Sequence, residues 1–78
     1  MKRDTVLVTG GASGLGAAIA RGFHAAGYNV GIGDIDADGA AALARDLDAG
    51  GTTTTGIALD VRDQAAFEAA HGLLVARW

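Results

Sequence analysis

Thr9-Gly10-Gly11-Ala12-Ser13-Gly14-Leu15-Gly16 is the stretch that decides how this chain folds. It follows directly on a short apolar run, Thr5-Val6-Leu7-Val8, and opens into an alanine-rich pattern of helical spacing that reaches about Ala26. A strand that turns on glycines into a helix N-terminus is a seat for a pyrophosphate. The first N–H groups of a helix have no intrahelical acceptor, and the aligned peptide dipoles place partial positive charge there. Glycine takes up positive φ and lets a phosphate approach without a Cβ in the way. The octet therefore points to a dinucleotide-binding turn.

Outward from that turn the chain reads as three βα units. Strand one covers about Thr5–Thr9 and helix one about Gly14–Ala26, with Leu15, Ile19, Phe23 and Ala26 at the spacing of one apolar face. Gly27 is placed to end that helix in the left-handed conformation. Strand two covers about Asn29–Asp34; Gly31 and Gly33 inside it predict the close approach of another backbone or of a ligand. Helix two runs from near Ala37 to Asp48 with Leu43 and Leu47 inward, and Asp36 is placed as its N-cap. Strand three covers about Thr54–Leu59, the β-branched Thr52–Thr55 run suiting its start. Helix three begins near Asp63 and carries Phe67, Ala70, Leu74 and Trp78 on one face. Alternation of this kind, with nearly continuous apolar strands, predicts an α/β fold with a parallel sheet covered on both faces. Right-handed crossovers give strand order 3-2-1, the first half of a doubly wound, Rossmann-like sheet. Residues 1–78 are then the N-terminal part of a dinucleotide-binding domain, with the outer edge of strand one left bare.

Length and composition agree. Seventy-eight residues make one small domain, and without cysteine neither a disulfide framework nor a thiolate metal site is available. His24 and His71 stand on different helices, so no metal site is expected. A net charge of −3, with six scattered basic residues, argues against nucleic-acid binding. No apolar run approaches the ~18 residues of a membrane span. Met1-Lys2-Arg3-Asp4 leads at once into a strand with no room for a secretory apolar region, so the expected location is cytoplasmic.

The glycine spacing, Gly10-x-x-x-Gly14-x-Gly16 preceded by Thr9, differs from the G-x-G-x-x-G of the standard Rossmann turn. It resembles the nucleotide-binding turn of the short-chain dehydrogenase/reductase family, in its single-domain branch, at every defined position. The resemblance implies an oxidoreductase that transfers hydride between a nicotinamide cofactor and a secondary alcohol or ketone, and that assembles as a homo-oligomer. Gly10, Ser13, Gly14, Leu15 and Gly16 would then border the pyrophosphate.

Two acidic residues refine the cofactor. Asp34, at the end of strand two, is placed to accept hydrogen bonds from the adenosine ribose hydroxyls and to repel a 2′-phosphate. Ile35 follows it, and no Lys or Arg stands in the glycine turn, so NAD is favoured over NADP. Asp60-Val61 ends strand three. By the same resemblance Asp60 accepts from the adenine amino group, and the Val61 N–H meets a ring nitrogen.

The catalytic part of the family pattern is not found in this sequence. The resemblance implies a tyrosine four residues before a lysine, and Tyr28, the one tyrosine, is followed at that spacing by Ile32. No residue here is assigned as catalytic, and the chain alone is expected to be inactive. Two other readings stay open: a stand-alone, non-catalytic nucleotide-binding module, and one half of a split enzyme.

Overall fold

The computed structural model describes residues 3–78; Met1 and Lys2, read above as the lead into strand one, lie outside the described residues. Six elements alternate: β1 (Thr5–Thr9), α1 (Gly14–Ala25), β2 (Asn29–Asp34), α2 (Ala37–Leu47), β3 (Thr54–Ala58) and α3 (Gln64–Arg77). The strands form one parallel sheet in the order β1-β2-β3, the expected 3-2-1 read from the other edge. Thr9 stands opposite Gly33, and Asp34 opposite Ala58, so the ends of all three strands lie side by side. β1 is an edge strand, paired with β2 alone among the described residues. Beside it lies a hollow of about 420 Å³ bordered by Thr5 and Leu7 on the strand and by Leu74, Val75 and Trp78 on α3. Among the described residues no helix is long and apolar enough to cross a membrane.

Strand alternation divides the sheet into two faces. Val8, Val30 and Ile32 pack with Ala20 of α1 and with Ala40, Leu43 and Ala44 of α2. On the other face α3 lays Leu74 over Gly31, where a Cβ would come within 2.8 Å of the leucine side chain. Leu59 does the same over Gly33, also at 2.8 Å. The close approach expected at these two glycines is therefore made by leucine side chains, not by a backbone or a ligand. At Gly56 the neighbour is backbone: α2 crosses β3 so closely that a Cβ there would lie 2.7 Å from Ala40 C and Ala41 N.

Helix α1 departs from its expected face. Ala20 is fully buried, and Ala17 and Phe23 are partly buried against the core, whereas Leu15 and Ile19 are 78% and 42% exposed. Ala26 is exposed and forms the C-cap instead of extending the helix. Alanine lets the helix axis come close to the sheet, and that small-residue stripe, not the bulkier one, fixes the packed face. Phe23 is the common member of both stripes.

The ends of the elements follow the sequence signals closely. Gly27, at φ +97°, closes α1: its N–H donates to the His24 carbonyl and the Tyr28 N–H to that of Phe23. This is the Schellman arrangement, and the accompanying apolar contact is the Phe23–Tyr28 pair, edge to face at 5.0 Å. Asp36 caps α2 by accepting from the Gly39 N–H at 3.0 Å, and Asp63 caps α3 by accepting from that of Ala66 at 3.2 Å.

The threonine run does more than begin a strand. Asp48, at the C-cap of α2, accepts from the Thr53 hydroxyl (2.5 Å), the Thr53 N–H (2.9 Å), the Thr52 hydroxyl (3.2 Å) and the Gly50 N–H (3.1 Å). The Thr53 hydroxyl also meets His24 Nε2 at 3.0 Å, and the Thr54 hydroxyl donates to the Ala44 carbonyl at 2.7 Å. The far end of α3 joins the same corner, Arg77 donating to the Gly51 carbonyl and the Trp78 indole N–H to that of Thr52. All three helices are thus tied to the start of β3, opposite the glycine turn.

Candidate functional site: the glycine turn and the strand ends

The turn leaves β1 through Gly10, at φ +66°, whose N–H donates to the Gly33 carbonyl at 2.8 Å and extends the sheet by one bond. Gly14, at φ +58°, opens α1. A Cβ at either position would meet no atom within 4 Å, so both glycines face open space and are needed for their backbone angles. Gly16 is different. A Cβ there would fall on the Gly10 carbonyl and lie 2.9 Å from Gly11 Cα, so the first turn of α1 rests directly on the loop that leads into it.

Among the described residues, the N-terminus of α1 is the one helix start without a side-chain cap. Ser13 occupies the N-cap position in an extended conformation but makes no capping hydrogen bond, and the first turn carries no acidic residue. Its orphan N–H groups and the positive end of its dipole are directed outward. Ser13, Gly14 and Leu15 are exposed at this start, and Gly16 is half-buried beneath them.

Asp34 joins the turn to the sheet. Its Oδ2 accepts from the Ala12 N–H at 3.1 Å and its Oδ1 from the Asp36 N–H at 2.9 Å. These two donors, Asp36 first, with a lesser contribution from the Ile35 N–H, hold the carboxyl below the usual carboxylate range against the opposing effect of desolvation. The group is ionised at neutral pH, and each oxygen keeps a lone pair for a further donor. Beside it opens a groove of about 240 Å³, with Gly10 on one wall, Asp34 and Ile35 on another, and Leu59, Asp60, Val61 and Arg62 on the third. Five of the residues singled out from sequence (Gly10, Asp34, Ile35, Asp60 and Val61) thus share one groove. Ser13, Gly14, Leu15 and Gly16 form the adjoining helix start and do not line it.

Sequence reading passed over Arg62. Its side chain grips Asp60 with both arms, Nε to Oδ1 at 3.0 Å and Nη2 to Oδ2 at 2.9 Å, while its own N–H also donates to Oδ1 at 3.0 Å. The fork lowers the Asp60 carboxyl below its ordinary range. Ala12 was likewise an unmarked turn residue, and its N–H is the link to Asp34. In the sequence, an arginine two residues after an aspartate at a strand end was the available sign of the fork. Nothing at Ala12 marked its amide.

Asp34 and Asp48 share one consequence. Each is held below the carboxylate range by hydrogen bonds that include contacts across the fold, with the Thr53 hydroxyl first among the donors to Asp48. A depressed folded pKa contributes stability that is fully present above the unfolded value, about 3.9, and is lost as pH falls through the folded one. Denaturation midpoints of the purified protein should therefore be insensitive to these groups above about pH 5 and fall steadily below about pH 4. Asp48→Asn, which keeps one acceptor oxygen, should flatten that acid limb. An unchanged limb would deny Asp48 this role.

The short chain dehydrogenase family model matches residues 4–78, which include this strand–turn–helix and the carboxylates at the end of β2 and just after β3. The chain belongs to the short-chain dehydrogenase family. It is 42% identical over 72 residues to the D-threitol dehydrogenase of Mycolicibacterium smegmatis, covering 92% of this chain and 28% of that protein. With the sorbitol dehydrogenase of Cereibacter sphaeroides it shares 39% over 74 residues, 95% of this chain and 28% of the relative. Among solved structures, the 3-ketoacyl-(acyl-carrier-protein) reductase of Brucella melitensis complexed with NADH superposes with a TM-score of 0.86 at 30% identity. That match covers 95% of this chain and 29% of the reductase. The short-chain dehydrogenase chain described here thus spans under a third of the length of these relatives.

Proposed function

We propose that this segment holds the adenosine and pyrophosphate part of NAD for a short-chain dehydrogenase that interconverts secondary alcohols and ketones. The observation that carries the proposal is the uncapped N-terminus of α1 beside two positive-φ glycines that face open space, next to an ionised Asp34. A pyrophosphate fits there: it needs N–H donors, positive potential and no Cβ in its path. In this reading the amides at Ser13–Gly16 receive the phosphate oxygens, and Leu15 covers them from the solvent side. Asp34 accepts from the ribose hydroxyls through the lone pairs that Ala12 and Asp36 leave free. Asp60 accepts from the adenine amino group while the Val61 N–H donates to the ring. When bound, the nicotinamide supplies hydride transfer; these residues bind and orient the other end of the molecule.

NAD is preferred over NADP in this proposal because a 2′-phosphate would meet the Asp34 carboxylate with no arginine or lysine in the turn to offset it. Arg62, the one cation lining the groove among the described residues, is already paired with Asp60. The proton-transfer pair of the family is not among these residues. Tyr28 packs half-buried on Phe23 and has Ile32, not lysine, at the catalytic spacing.

The test is calorimetric titration of the purified 78-residue chain with NAD, NADP and ADP-ribose, followed by an NADH absorbance assay with secondary alcohols. Binding of NAD and ADP-ribose, weaker binding of NADP and no NADH formation are expected. A folded chain that binds none of the three would overturn the binding role, and steady NADH production would overturn the assignment of no catalytic residue.

A further inference from the structure

We infer that Arg62 is a positioning residue of the nucleotide site, setting the orientation of the Asp60 carboxylate so that one lone pair of Oδ2 is left for the amino group of the base. The inference rests on the assignment of Asp60 to adenine. It comes from counting donors. Oδ1 is saturated, taking both the Arg62 N–H and Nε at 3.0 Å, whereas Oδ2 takes only Nη2, at 2.9 Å. A carboxylate oxygen accepts two hydrogen bonds, so the pair leaves one acceptor site on Oδ2 and none on Oδ1.

The two-armed contact also fixes the plane of the carboxylate, which a lysine, a point charge on a flexible stem, would not do. Asp60 and Arg62 both line the groove that Asp34 borders. The arginine side chain is 81% exposed and that of Asp60 34%, so the pair contributes little to the fold itself. An exposed arginine of this kind has no packing role to explain its geometry. The consequence is selectivity for the base. A 6-amino purine presents a donor to the remaining Oδ2 site, whereas a 6-oxo purine presents an oxygen that the carboxylate repels. Freed from the fork, Asp60 can rotate away from either base, and the discrimination between them shrinks.

The experiment compares dissociation constants of the purified protein for NAD and for nicotinamide hypoxanthine dinucleotide. The variants are Arg62→Ala, Arg62→Lys and Asp60→Ala, each checked by thermal melting. Arg62→Ala should melt like the parent and weaken NAD about threefold to tenfold, the worth of one net hydrogen bond, with the hypoxanthine dinucleotide changed by less than about twofold. Arg62→Lys should recover less than half of the lost discrimination on a logarithmic scale. If Asp60→Ala lowers the NAD preference and Arg62→Ala does not, or if lysine restores it fully, the positioning role is wrong and Asp60 acts unaided. If Asp60→Ala itself leaves the ratio of the two dinucleotides unchanged, the adenine assignment fails and this inference with it.

Discussion

Gly16→Val should weaken dinucleotide binding by about a hundredfold or more, and Gly16→Ala by a smaller amount. The Cβ of either variant is aimed at backbone, the Gly10 carbonyl and Gly11 Cα, not at the flexible end of a side chain that could turn aside. To admit it, the loop and the start of α1 must separate, and the N–H groups that would face the pyrophosphate no longer converge. A hydrogen bond to a charged group contributes about 1.5–3 kcal/mol. Losing the equivalent of two costs about 3 kcal/mol or more, roughly a hundredfold in affinity. Overpacking adds about 1–3 kcal/mol against the fold. Gly22→Ala is the control: this glycine lies within the same helix, a Cβ there meets nothing within 4 Å, and its φ is not positive. Alanine at that site should raise stability by up to about 1 kcal/mol and leave NAD binding unchanged. Titration calorimetry with thermal melting separates the two glycines. Undiminished binding in a folded Gly16→Val protein would remove the turn from the site.

The contrast between Gly16 and Gly22 also bounds what the sequence reveals. Elements, caps and strand order were legible because each has a local cause: glycines that punctuate, aspartates at N-cap positions, and runs whose periodicity shifts from strand to helix. The face of α1 was not, because two stripes compete for the sheet. Leu15 and Ile19 carry more apolar area than Ala17 and Ala20, yet the alanines are turned inward, since close approach of helix and sheet depends on small side chains. Likewise Gly31 and Gly33 announced a close approach without saying of what; Leu74 and Leu59 fill it from segments far along the chain. In the turn and the groove, positions defined by the backbone, those of Gly10, Gly14, Asp34 and Asp60, were readable. Contacts across the fold were hidden: at the turn the Ala12 amide on Asp34, and at the opposite end of the sheet the His24–Thr53–Asp48 chain that makes a connector out of a threonine run.

Exchanging Asp34 for alanine and Ile35 for arginine together should invert the choice of cofactor, from NAD in the parent to NADP in the double variant. The single Asp34→Ala change removes the repulsion of a 2′-phosphate but also removes the acceptor for the Ala12 N–H, so the turn loses an anchor to β2. It should weaken NAD and leave NADP little better bound than in the parent. Ile35 is 67% exposed beside the groove, so an arginine there can extend without displacing core. A charge pair near 4 Å contributes about 1–4 kcal/mol between water and a protein surface. Adding an attraction of that size while deleting a comparable repulsion amounts to about 2 kcal/mol or more, so the NADP-to-NAD ratio of dissociation constants shifts by about thirtyfold or more. The shift should shrink at high salt, where the screening length falls to about 3 Å at 1 M, below the spacing of the charges. Dissociation constants for both dinucleotides at low and high ionic strength test this. A parent that binds the two equally, or a double variant that keeps the NAD preference, would mean that Asp34 serves the turn through Ala12 alone and does not read the ribose.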